Sequence, residues 1–274
     1  LKLSIAKPKP TKIVKNVVYW DNVQSKVVYA VFGPYQIYET EIDYELKNQE
    51  LKLGYLDIAL PPDTLFQKPI IQSLEPEPKK ITIDSDGNYL ARYFLKPKEE
   101  KFIKYKAYII IYPNPRQEIL KIERKNFEKQ KKYLLKESKY WKLNEKIIPG
   151  LTVNPNIEFE EKVKTIYDFV INTLEYDFQK VENNSTSRQG ALAALNNPTS
   201  AVCTEYTDLF IAIARENGIY TREIQGYGYT ENEHFRPLSK VLDILHTWPC
   251  LLYTSDAADD MQCVDLGGRR IIKK

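Results

Sequence analysis

Two residues of this sequence could act together as a nucleophile and its base, Cys203 and His246. A cysteine attacks as the thiolate, so a reactive one needs its proton held elsewhere. Cys203 follows Pro198-Thr199-Ser200-Ala201-Val202 and precedes an apolar stripe of Tyr206, Leu209, Phe210, Ile213 and Ala214. That spacing places the cysteine in the first turn of a helix with a buried face. Thr199 or Ser200 is the expected N-cap, and Asn217-Gly218 the expected stop. Free N–H groups and the positive dipole end favour an anion at such a turn. A histidine from another element can hold the proton as an imidazolium, and His246 lies in a short apolar run around Ile244–Trp248. A carboxylate or amide usually orients such an imidazole. The same pattern also fits a buried cysteine that only fills space.

The other chemistry-bearing residues point to quieter roles. His234 sits in the acidic segment Glu231-Asn232-Glu233-His234-Phe235, an exposed loop. Trp248 either shields the site or packs in the core. Arg222 is expected to anchor a turn by ion pairing, and Asp208 to be solvated. Three cysteines, Cys203, Cys250 and Cys263, are too few for a disulfide framework, and their spacing matches no zinc pattern. No metal and no cofactor is expected, as there is no Gly-rich phosphate loop. Asp84-Ser85-Asp86-Gly87-Asn88 looks like the start of a calcium loop, but its glycine comes too early and no Glu follows at the twelfth position. It reads as a hairpin turn.

The elements that would position these residues fall into segments. Tyr38, Thr40, Ile42, Tyr44 and Leu46 alternate with charged residues, and Ile103, Tyr105, Ala107, Ile109 and Ile111 repeat the period of two. Shorter runs at Ile13–Trp20, Lys26–Phe32, Leu51–Ala59, Lys80–Asp84 and Tyr89–Leu95 bring the strands to about seven, which suggests a β-sandwich. Residues 116–146 predict one or two amphipathic helices with a basic solvent face, a connector. Phe159, Val163, Ile166, Tyr167, Val170, Ile171 and Leu174 then recur at helical spacing. Arg222–Thr230 reads as a strand after the Cys203 helix.

Composition excludes several classes. With 43% hydrophobic and 28% charged residues, 274 residues make an ordinary globular chain of one large or two smaller domains. No apolar run is long enough to span a membrane, and lysines and prolines occupy Leu1–Pro10 where a leader would carry an apolar stretch. Residues 1–150 hold 28 Lys/Arg against 19 Asp/Glu, yet only 3 of those cations are Arg. A lysine-rich solvated surface is expected there, not a nucleic-acid interface. A sandwich and 20 tyrosines lean towards the cell envelope or export.

From Cys203 onward the sequence resembles the transglutaminase-like superfamily, whose core is papain-like. Cys203-Thr204-Glu205-Tyr206-Thr207-Asp208-Leu209-Phe210-Ile211-Ala212-Ile213-Ala214-Arg215 is similar to its nucleophile helix. Gly218-Ile219-Tyr220-Thr221-Arg222 resembles its turn, with Tyr220-Thr221 in place of the usual Pro-Ala, and Gly226-Tyr227 and His246-Thr247-Trp248 resemble its next two strands. Leu174-Glu175-Tyr176 resembles the close of its preceding helix, so the likeness spans roughly Asn156 to Pro249. It implies an α+β chain, an antiparallel sandwich followed by helices packed on a small antiparallel sheet, of a kind found in microbial members.

The resemblance further implies acyl transfer by Cys203 and His246 on peptide or protein amides, resolved by water in a cysteine peptidase or amidase. Resolution by an amine would make a cross-linking transglutaminase, and the superfamily also contains inactive scaffolds. The family's third residue is an Asp on the strand after the histidine. Asp265 lies 19 residues beyond His246, but in a stretch of different character. Thr254-Ser255-Asp256-Ala257-Ala258-Asp259-Asp260 and the stretch from Cys263 to Lys274 resemble translated sequencing-adapter DNA. The expected organisation is therefore a sandwich at 1–113, a connector at 114–150, a truncated core at 151–249 and a non-native tail at 250–274.

Overall fold

The computed structural model describes residues 2–5, 35–112, 115–143, 158–182, 187–227, 245–252 and 261–263. The chain divides into two compact units, Leu1–Asn126 and Phe127–Lys274.

The first unit is built from alternation. Strands β1 (Lys2–Ile5), β2 (Gln36–Lys47), β4 (Gln67–Glu75) and β7 (Glu100–Ile111) form one antiparallel sheet in the order β1-β2-β7-β4. Strands β3 (Gly54–Leu60), β5 (Lys80–Ile83) and β6 (Tyr89–Leu95) form a second, in the order β3-β6-β5. Ile42 and Tyr44 of β2 stand opposite Tyr105 and Ile103 of β7, and all four are buried. The intervening Lys104 and Lys106 point outward and pair with Glu41 at 3.0 and 3.1 Å. Ile58, Leu60, Ala91, Tyr93 and Leu95 give the second sheet its own inward face. The Tyr44 hydroxyl donates to the Ala59 carbonyl at 2.8 Å and joins the two sheets, as in a sandwich.

The expected turn at 84–88 is present. Asp84 Oδ1 accepts the Asp86 and Asn88 amides at 2.8 and 2.9 Å, which closes the β5–β6 hairpin. The strand expected at Leu51–Ala59 begins only at Gly54, and Leu51 and Leu53 stay exposed. The runs at Ile13–Trp20 and Lys26–Phe32 lie outside the described residues. Strand β4 was not legible beforehand. It is an edge strand with a register shift between Ile71 and Ser73, and it buries no residue.

Among the described residues of the connector there is one helix, α1 (Gln117–Gln130), and turns follow it. The second unit then places α2 (Phe159–Thr173), α3 (Phe178–Glu182), α4 (Ala191–Asn196) and α5 (Cys203–Glu216) before β8 (Thr221–Tyr227), β9 (Leu245–Leu252) and β10 (Met261–Cys263). The strands form an antiparallel sheet in the order β10-β9-β8. Ile166, Val170 and Leu174 from the α2 segment meet Tyr206, Leu209, Phe210 and Ile213 from α5 in one core, which also takes in Leu251 of β9. Residues from Glu205 to Ala214 are all buried, so α5 is enclosed on every side and not along a single stripe. Cys250 and Leu251 are buried within β9.

Helix α5 ends as expected. Gly218 has φ +74°, a conformation that an L side chain resists, and the Ile219 amide returns to the Ala214 carbonyl at 2.9 Å. Arg215 anchors the turn after this helix. Its guanidinium donates to the carbonyls of Thr221 and Lys136 and stacks 4.3 Å from the Trp141 ring. Burial draws this guanidinium down to about 10.

Candidate active site

Cys203 is the first residue of α5 and is half-buried. Its N-cap is Val202, not Thr199 or Ser200, and Val202 has no side chain to cap with. The cap runs backwards instead, with only its second half made: Glu205 reaches back so that its Oε2 accepts the Val202 amide at 3.0 Å. The approach to Cys203 is fixed by a short parallel pairing. Tyr176 bridges Ala201, the Glu175 amide donates to the Pro198 carbonyl at 2.8 Å, and the Asp177 amide donates to the Ala201 carbonyl at 2.8 Å.

His246 is the second residue of β9 and stands opposite Gly226 of β8. One hydrogen bond joins its strand to the cysteine's helix. Thr207, one turn beyond Cys203 on the same side of α5, donates its hydroxyl to the Thr247 carbonyl at 3.1 Å. The structure therefore brings together the helix of Cys203 and the strand of His246. Trp248 lies two residues further along β9, on the face that carries His246, with ring centroids 5.7 Å apart. Its ring covers Gly226. A Cβ at position 226 would come within 2.9 Å of Trp248 Cη2, so a side chain there would displace the indole.

Two buried ionic clusters flank this pair of elements, and neither was legible in the sequence. The first corrects the expectation that Asp208 is solvated, since it is fully buried. Arg188 grips the Asp208 carboxylate with two nitrogens, and the Trp141 indole donates to the same group at 2.8 Å. The third Arg188 nitrogen donates to Glu223 of β8 at 2.8 Å, and Glu223 accepts the Thr247 hydroxyl at 2.9 Å. Burial lifts Asp208 to about 6 in spite of Arg188 and Trp141. Burial alone would lower Arg188, but Asp208 and Glu223 outweigh it and hold that guanidinium above its usual range. The second cluster pairs Lys180 of α3 with Glu205 of α5 at 3.2 Å. Their partners stand 20 to 35 residues away in sequence, and the visible signal was only charged residues set within an apolar helix. Asp265 and His234 lie outside the described residues.

Residues 145–257 match the transglutaminase-like superfamily, so the second unit carries a transglutaminase-like domain. Among solved structures the chain is similar to a candidate cysteine protease from Cytophaga hutchinsonii, at 15% identity over 85% of this chain and 78% of that one, with a TM-score of 0.49. It is also similar to the periplasmic domain of TgpA from Pseudomonas aeruginosa, at 14% identity over 86% of this chain and 70% of that one, with a TM-score of 0.42. No curated protein matches the sequence. Among the described residues, no helix is long and apolar enough to cross a membrane.

Proposed function

We propose that this protein is a thiol hydrolase of peptide or protein amides, with Cys203 as nucleophile and His246 as its proton carrier. The observation that supports this most is the Thr207–Thr247 hydrogen bond within a transglutaminase-like domain, because it sets the helix turn that bears Cys203 against the strand that bears His246. In the reaction His246 takes the thiol proton, and the Cys203 sulfur adds to the amide carbonyl. The Cys203 backbone N–H, at the open end of α5, donates to the oxyanion. As the C–N bond breaks, the imidazolium gives its proton to the departing amine. His246 then takes a proton from water, hydroxide adds to the thioester, and the carboxylic acid leaves as the thiol is restored. Trp248 shields the imidazole from solvent.

Iodoacetamide labelling of Cys203 at pH 7, read by peptide mapping, tests this. Labelling is expected to be fast and to slow about tenfold or more in His246→Ala. Cys203→Ala is expected to fold normally and to cleave no amide substrate. Slow labelling that is indifferent to His246 would leave an inactive scaffold. Transfer to an added amine in preference to water would make the enzyme a cross-linker.

A further inference from the structure

We propose that Lys180 and Glu205 are a positioning pair for Cys203: Glu205 braces the backbone on both sides of the cysteine, and Lys180 cancels the carboxylate charge that would otherwise oppose the thiolate. The claim deepens the thiol-enzyme reading above and rests on it.

The bracing is visible in the hydrogen bonds. Glu205 Oε2 accepts from the Val202 amide at 3.0 Å and from the Thr204 hydroxyl at 3.2 Å, the two neighbours of Cys203. Its Oε1 accepts the Gln189 amide at 3.3 Å. Lys180 Nζ lies 3.2 Å from that same Oε2 and donates to the Ser200 carbonyl at 3.1 Å. Asp177 holds the base of this arm, accepting the Lys180 amide at 2.9 Å and the Ser200 hydroxyl at 3.3 Å. The stretch 200–205 is therefore tied at both its carbonyl and its amide side.

The charge argument follows from burial. The Lys180 and Glu205 side chains are 6% and 0% exposed, so water does little to screen either. A lone buried carboxylate two residues along the helix from a cysteine disfavours a second anion, and one left without its cation is strongly destabilising. With Lys180 in place the pair is neutral, and the dipole of α5 acts on the sulfur unopposed. The titratable groups that the described residues bring to this turn are Tyr176, Asp177 and Lys180 ahead of it and Glu205 and Tyr206 on α5; the proposed reaction adds His246 of β9.

The test is the labelling rate of Cys203 at pH 7 in four full-length chains. Lys180→Met is expected to slow labelling about tenfold or more. Glu205→Gln keeps an oxygen for the Val202 amide and leaves Lys180 positive, so it is expected to label a few-fold faster than the parent. The double variant should return to within about threefold of the parent, and at pH 10 all four rates should converge as every thiol ionises. A role in packing alone would slow all three variants and leave them slow at pH 10. An unchanged Lys180→Met, or a double variant no faster than it, would overturn the proposal. If Lys180→Met does not fold, Glu205→Gln decides, and slower labelling there overturns it. The two claims fail differently. Labelling of the parent that ignores His246 defeats the thiol-enzyme reading, whereas the order of the four rates judges the pair.

Discussion

Asp208 has no access to water and finds its partners within the protein, in the Arg188 guanidinium and the Trp141 indole. Because burial places its titration near 6, the folded protein holds this proton more tightly than the unfolded chain, where a carboxyl titrates near 3.9. Its contribution to stability is therefore fullest below about pH 4 and is lost as pH rises through 6. Asp208→Asn removes that titration. The melting temperature of the parent relative to the variant is expected to rise as pH falls from 7 to 4, and a difference independent of pH would contradict the assignment. The place of Cys203 at the head of a helix was legible from the apolar stripe that follows it. The burial of Asp208 was not, because Arg188 and Trp141 reach it from 20 and 67 residues before.

At the scale of elements, legibility followed periodicity. Strands β2 and β7 bury alternate residues over Thr40–Tyr44 and Ile103–Ile109 and could be read directly, and α2 and α5 showed their apolar spacing. Strand β4 could not, since its Ile70 and Ile71 are both exposed and the register shift breaks its alternation. The contact between α5 and β9 was equally hidden, as it runs from a threonine hydroxyl to a backbone carbonyl. Thr207→Val keeps the shape and removes the donor, leaving a buried carbonyl with one partner fewer. The expected cost is about 0.5–1.5 kcal/mol in unfolding free energy. Labelling of Cys203 should fall and lose part of its dependence on His246, because the helix is no longer pinned to the strand beside it. Unaltered labelling in a destabilised variant would show that other contacts set this register.

For the whole molecule, the sequence supported a sandwich followed by helices packed on a small antiparallel sheet, and both are present. Composition alone hid the second unit's dependence on ion pairs, since the chain has an ordinary charge content. The first unit buries Ile42, Tyr105 and Leu95 within its own sheets, and the second buries Ile166, Phe210 and Leu251 among its own helices and strands. Each therefore carries its own source of cooperativity. Calorimetry is expected to resolve two separate heat-absorption peaks, with Phe210→Ala lowering one and sparing the other. A single sharp peak displaced as a whole would mean that neither half can melt alone.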